Sequence, residues 1–149
     1  MNLQWQYGVE VRREEDGLFH AYAPAMPDAI AAGADETEAF REMGQALVAA
    51  VRGRIKFGLD LEPPPPFVLG ADVSSNYSIR LSPELAAKAS VYMLWRASGM
   101  TKVALAERMK VHEKEVRRVL DPDHSTGLDR LEAVAKEFGH RLVVGAEAA

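Results

Sequence analysis

The fold of this chain is decided by one stretch of twenty residues, Thr101-Lys-Val-Ala-Leu-Ala-Glu-Arg-Met-Lys-Val-His-Glu-Lys-Glu-Val-Arg-Arg-Val-Leu120. The spacing of its apolar residues predicts two short helices joined by a tight turn at residues 110–112. Thr101 is suited to cap the first helix, because its hydroxyl can accept a hydrogen bond from a free backbone N–H. The second helix is expected to bury Val116, Val119 and Leu120 and to direct its long polar side chains outward.

A helix that presents long hydrogen-bonding side chains in this way fits the major groove of DNA. On this interpretation the outward residues reach bases or phosphates, and Glu115 can accept a hydrogen bond from the amino group of cytosine. The residues at the helix starts would position the DNA backbone. The predicted DNA-binding residues are Thr101, Lys102, His112, Lys114, Glu115, Arg117 and Arg118. The alternative is an ordinary helical hairpin whose Lys and Arg residues form a solvated face.

The stretch resembles the helix-turn-helix of phage-repressor-like (Cro/C1-type) regulators, but it departs from their pattern at two positions. Lys110 stands where such motifs usually carry Gly, and an L-residue in a left-handed turn costs roughly 1–2 kcal/mol. His112 stands where the second helix usually opens with Ser, Thr or Asn. Both departures concern the geometry of the turn.

Composition sets the outer limits of what the chain can be. Its 149 residues suffice for one medium domain or two small ones. No apolar run approaches the ~18 residues of a membrane span. The absence of cysteine excludes disulfides, thiol nucleophiles and zinc–cysteine sites. Residues 1–7 lack the basic start and apolar centre of a signal peptide, so the expected location is the cytoplasm.

The charge is divided unequally between the two halves. Residues 1–76 carry 6 Lys and Arg against 12 Asp and Glu, a net −6. Residues 77–149 carry 12 against 10, a net +2. The acidic half should avoid nucleic acid and suit a basic protein partner. The second half is only mildly basic, so DNA affinity would depend on oligomerisation and several phosphate contacts.

The first half shows a β-β-β-α pattern. Strict alternation over residues 3–12 predicts a strand with one buried face, and a turn at 14–17 leads into a second strand at 18–23. A short third strand is expected at 29–34. Asp35 and Glu38 form a capping-box-like start for a helix that runs to about Phe57. A fourth strand near 67–69 is a further expectation.

The second half is mainly helical. Four consecutive prolines at residues 63–66 form a stiff extended segment, and residues 70–76 are small and polar like a linker. A short strand at 77–81, four helices and a last strand at 141–145 follow, the two strands pairing with each other or across a dimer axis. The predicted fold class is therefore α+β, with domains at 1–69 and 77–149 and a linker at 70–76.

The order of these elements resembles the HicB family of antitoxins. The resemblance rests on the N-terminal hairpin, the Met26-Pro-Asp28 turn, the Gly33-Ala-Asp-Glu-Thr-Glu-Ala39 entry to the helix and the prolines after Leu61. It implies a degenerate RNase H-like first domain that covers a small basic HicA-like mRNA interferase toxin. It also implies a DNA-binding and dimerisation domain that recognises a palindromic operator as a homodimer or homotetramer and represses its own operon.

The toxin-binding residues are expected on the second strand and the turn after it: His20, Tyr22, Pro24, Met26 and Pro27. Plain sheet packing is the alternative role of these residues. One HicB subfamily has a ribbon-helix-helix second domain, and residues 77–83 resemble its ribbon. That fold ends after two helices, whereas this chain continues, so a helix-turn-helix is preferred.

Catalysis is not expected. The acidic residues of the first half lie in turns, loops and a helix start, not at strand centres where a rigid two-metal site would be built. The sequence has no nucleophile elbow and no Gly-rich phosphate loop, and it suggests no cofactor or metal. Two alternatives stay open: a one-component transcriptional regulator whose N-terminal domain senses a small ligand, and a metal-dependent nuclease.

Overall fold

A computed structural model describes residues 4–66 and 77–149. The strand expected near 67–69 and the linker expected at 70–76 lie outside the described residues. The chain forms two compact units, the first made of Met1–Gly53 and Pro63–Leu81 and the second of Arg54–Glu62 and Ser82–Ala149.

The first unit contains a four-stranded antiparallel sheet. Its strands are β1 (Gln6–Arg13), β2 (Phe19–Tyr22), β3 (Ile30–Gly33) and β4 (Tyr77–Arg80), in the order β3-β2-β1-β4. The alternation predicted for the first strand is present, since Tyr7, Val9 and Val11 are buried while their neighbours are more exposed. β1 therefore directs one set of side chains to the core and the other set to the opposite face.

Helix α1 (Glu36–Lys56) follows β3 closely. The predicted capping-box-like start is present, because Glu38 N–H donates to Asp35 Oδ1 at 2.8 Å and Ala34 N–H, one residue before the cap, donates to Glu38 Oε2 at 2.7 Å. A Cβ atom on Gly33 would lie 2.5 Å from Ala39 N, so only glycine allows this close entry into the helix. The buried stripe of α1 includes Met43, Leu47 and Val51.

Strand β4 pairs differently from either arrangement that was expected. It runs antiparallel to β1, with Gln6 opposite Arg80 and Val9 opposite Tyr77, and so belongs to the first unit. The Tyr77 ring packs against Phe40 of α1 with centroids 5.5 Å apart, and its hydroxyl donates to Glu36 at 2.8 Å. Residues 77–81, which the sequence suggested as the start of the second domain, thus complete the sheet of the first.

Four helices make up most of the second unit: α2 (Pro83–Ser98), α3 (Lys102–Met109), α4 (Glu113–Val119) and α5 (Leu128–Glu137). Helix α2 packs against α5, and α3 packs against α4. The core side chains include Tyr92, Leu105, Val116 and Leu131. With one sheet and five helices among the described residues, the α+β fold class is confirmed.

The strand expected at residues 141–145 is a wrong prediction. These residues follow α5 without regular structure, and no strand of the described residues pairs with them. Leu142 N–H donates to Glu132 Oε2 at 2.6 Å, which ties the segment to α5 through a side chain. The apolar run Leu142-Val-Val144 has strand propensity, but a strand also requires a neighbouring backbone to pair with.

Lys110 occupies the left-handed conformation that the turn between α3 and α4 requires, with φ 57° and ψ 43°. Since glycine adopts this conformation without steric cost, we expect Lys110→Gly to raise the free energy of unfolding by roughly 0.5–1 kcal/mol, the strain relieved minus the greater chain entropy of glycine. Urea unfolding of both proteins measures the difference. Lys110→Ala, which keeps a Cβ, should give no such gain. A lower stability for the glycine variant would contradict the assignment.

Candidate functional site

The two helices of the decisive stretch are held together by their turn. Thr101 Oγ1 accepts from Ala104 N–H at 3.0 Å and caps α3 as predicted. Val111 N–H donates to Ala106 O at 3.0 Å, which closes the turn after Lys110. His112 has extended backbone at the start of α4, but its side chain makes no capping hydrogen bond. The expected order of helix, turn and helix is therefore present in spite of both sequence departures.

A buried lysine fixes the far end of α4. Lys88 of α2 is 3% exposed, and its ammonium group donates to the carbonyl oxygens of Arg118, Asp121 and His124. A lysine ammonium has three N–H donors, and these three carbonyls match that number. The final turn of α4 and the loop after it are thus held by one charged side chain from another helix.

The polar side chains of α4 lie outward. Lys114, Arg117 and Arg118 are exposed, and their i, i+3, i+4 spacing places them on one face of the helix. Arg117 forms an ion pair with Glu113 of the same helix, because its Nε and Nη2 both lie 2.8 Å from Glu113 Oε1. Lys114 and Arg118 therefore present the more available cations of this face.

The other predicted DNA-binding residues differ in their exposure and in their contacts. The Thr101 hydroxyl is occupied by its capping bond. Lys102 is half-buried, with Nζ 5.7 Å from the centroid of the Trp95 ring. His112 is exposed at the start of α4. Glu115 forms an ion pair at 3.8 Å with Arg130 of α5.

Arg130 is a residue that sequence reasoning missed. Its side chain is largely exposed, and its pair with Glu115 places the guanidinium beside α4. In the sequence it looks like an ordinary exposed residue of a later helix. Only the packing of the helices brings it to this face, so no local pattern could have identified it.

The predicted toxin-binding residues of β2 lie on the sheet face opposite to the buried one. His20 is paired with Arg12 and Tyr22 with Glu10 across the β1–β2 ladder. Tyr22 donates its hydroxyl to Glu14 Oε1 at 3.0 Å, and the Arg12 guanidinium lies 4.7 Å from the centre of its ring. The Glu14 carboxylate raises the pKa of Tyr22 above its ordinary value.

The other three residues predicted to bind the toxin lie in the turn after β2, and they differ in exposure. Pro24 and Pro27 are exposed and can contact a partner. Met26 is 2% exposed, so its side chain packs in the core and offers no surface for binding. The prediction that Met26 contacts a partner is corrected for that reason. An apolar residue between two prolines in a turn can face inward or outward, and the sequence does not decide which.

The β1–β2 turn supplies a pH-dependent contact. The N–H of Leu18 and the side chain of His20 both bond to Asp16, at 2.9 and 2.8 Å, and lower the pKa of Asp16 below its ordinary 3.8. Because the pKa of Asp16 is lower in the folded chain than in the unfolded chain, ionised Asp16 stabilises the fold. This stabilisation is complete when the pH is above the ordinary pKa, and it is lost as the pH falls through the pKa of the folded state.

We therefore expect wild type to exceed Asp16→Asn in unfolding midpoint at pH 7 and to lose that advantage below about pH 4. Urea titrations of both proteins across this range measure the difference. A gap that stays constant down to the lowest pH would show that Asp16 does not act through its charge.

Two further observations concern metal binding and membrane-spanning helices. Within residues 4–66 and 77–149, no group of three or more His, Cys, Asp or Glu residues could hold a metal ion. None of the helices in these ranges is long and apolar enough to cross a membrane.

Comparison with known proteins finds relatives that extend over both units. The antitoxin HicB 1 of Photorhabdus laumondii is 29% identical over 142 residues, which is 95% of this chain and 87% of that protein. The antitoxin HicB of Pseudomonas fluorescens is 26% identical over 148 residues, which is 99% of this chain and 98% of the relative. The chain is a homologue of the HicB antitoxins. The resemblance to HicB antitoxins that the sequence indicated is thereby confirmed. That the second unit is a Cro/C1-type helix-turn-helix stays a prediction.

A solved structure is also similar to part of the chain. The N-terminal domain of the Burkholderia pseudomallei antitoxin HicB covers 52% of this chain and 95% of that domain, with 20% identity and a TM-score of 0.41. No protein-family model matches the chain.

Proposed function

We propose that the chain is an antitoxin that binds and neutralises a small basic HicA-like RNase toxin and represses its own operon by binding operator DNA. The observation that carries this proposal is the similarity to two HicB antitoxins over 95% and 99% of the chain. Because that similarity extends through both units, it supports a role for each of them. An antitoxin role requires no catalysis by this chain, and we propose none.

Toxin binding is assigned to the first unit. The net charge of −6 over residues 1–76 favours a basic partner. The sheet face with Tyr22 and His20, together with exposed Pro24 and Pro27, is the proposed contact surface. Tyr22 suits such a role, since a tyrosine combines a large apolar ring with a polar hydroxyl.

Operator binding is assigned to α4. Lys114 and Arg118 are exposed on one helix face, and Arg117 and Arg130 lie close to it. We propose a homodimer or homotetramer on a palindromic site, because one mildly basic domain makes few phosphate contacts and linked domains gain affinity through effective concentration.

Co-expression with the adjacent short reading frame tests the proposal. A tagged copy of the chain should purify together with a small basic protein that arrests growth when expressed alone. The chain should also shift a DNA fragment from upstream of the gene pair. Absence of such a protein, together with a small molecule that raises the melting temperature, would replace the proposal by the ligand-sensing regulator.

A further inference from the structure

The outer edge of β3 is open within the part of the chain that the structure describes. β3 pairs with β2 on one side, and no described strand pairs with its other side. Ile30, the first residue of the strand, is 67% exposed although its side chain is large and apolar. Such an edge offers backbone N–H and C=O groups to an added strand.

A groove runs along this edge between β3 and α1. Small side chains line it on both sides, Ala31 and Ala32 from the strand and Ala46 and Ala49 from the helix, and its volume is about 430 Å³. Because these side chains are short, an extended backbone can approach β3 to hydrogen-bonding distance. We refer to the space between β3 and the α1 residues 42–49 as the β3 groove.

The charges around the β3 groove favour a cationic occupant. Exposed Asp28 precedes the strand, and exposed Asp35 follows it. Glu42 lies in the helix wall and pairs with Arg41 at 3.0 Å. A second copy of the same edge would bring carboxylates against carboxylates, which is unfavourable, whereas a segment that carries Lys or Arg is attracted.

We propose that the β3 groove binds an extended segment of the basic partner protein, which adds a fifth strand to the sheet at β3. The backbone of the segment pairs with β3, its apolar side chains pack over the alanines, and its Lys or Arg side chains face the carboxylates at the two ends. The inference deepens the proposed function and rests on it, since the occupant is the toxin.

Two substitutions block the groove from its two walls. Ile30→Lys places a cation on the strand, and Ala49→Arg fills the groove from the helix; both residues are exposed, so the fold should tolerate the changes. Each should weaken binding of the protein encoded by the adjacent reading frame about tenfold or more. Phe57→Lys is the matched control, because it adds the same charge to an exposed apolar residue of the second unit. It should leave the affinity unchanged.

Hydrogen exchange distinguishes strand addition from a nearby contact. When the partner binds the wild-type chain, the exchange rate of the outward-facing amides of β3 should fall by about tenfold or more. If the partner binds without protecting β3, or binds both groove variants with unchanged affinity, the proposal that the β3 groove holds a partner segment is overturned. The antitoxin assignment would then stay intact. A wild-type chain that fails to bind the partner would overturn both.

Discussion

Replacing Lys88 by Met is expected to lower the free energy of unfolding of the second unit by about 2–4 kcal/mol. The substitution keeps the length of the side chain but removes all three donors, so the carbonyls of Arg118, Asp121 and His124 lose the bonds that the structure gives them. The end of α4 should then loosen, and operator affinity should fall with it. Urea unfolding and a DNA titration measure the two effects.

The control for this prediction is Lys136→Met on α5. Lys136 is exposed and pairs with Glu132 at 3.7 Å, so its loss should change stability by no more than about 0.5 kcal/mol. Equal stability of Lys88→Met and the wild-type chain would show that the lysine is not needed to hold α4.

The second large effect is expected at the exposed cations of α4. Lys114→Ala combined with Arg118→Ala should lower operator affinity about a hundredfold, because each lost contact to a base or phosphate costs roughly 1–3 kcal/mol. Arg117→Ala should have a smaller effect, since its guanidinium already bonds to Glu113. Titration of the operator fragment at fixed salt measures these changes.

Arg41→Ala serves as a control for the loss of an exposed cation outside α4. It removes one exposed cation from the first unit, so operator affinity should stay within about twofold of wild type. Partner binding should survive in the α4 double variant. An unchanged operator affinity in the double variant would exclude α4 as the DNA-reading helix.

Local patterns were sufficient to predict most of the elements. Alternating apolar residues identify β1, and the Asp35–Glu38 capping box identifies the start of α1, because both signals lie within a few residues of the structure they specify. The left-handed turn at Lys110 forms as the motif requires, since packing of the two helices outweighs a strain of roughly 1–2 kcal/mol.

Features that depend on residues far apart in the chain were harder to predict from the sequence. β4 has the pattern of a strand, but its pairing with β1 joins residues about seventy positions apart, and no local signal encodes that choice. Residues 141–145 have a similar pattern and form no strand. The two segments differ in what lies beside them, which the sequence does not state.

Lys88 shows the same limit within a candidate site. It is spaced three residues from Leu85 and four from Tyr92, which places it in the buried stripe of α2. That spacing was a usable signal, but a charged residue in a buried stripe needs acceptors, and here they are backbone carbonyls of a loop more than thirty residues away. The role of Lys88 is therefore visible only in the folded chain.

The central claim is that this chain neutralises a toxin through a surface separate from its DNA-reading helix. Growth of cells that express the adjacent reading frame, with the chain supplied from an unrelated promoter, tests it most directly. We predict that the wild-type chain and the Lys114→Ala, Arg118→Ala variant both restore growth. Continued arrest in the presence of either the wild-type chain or the variant would contradict the account.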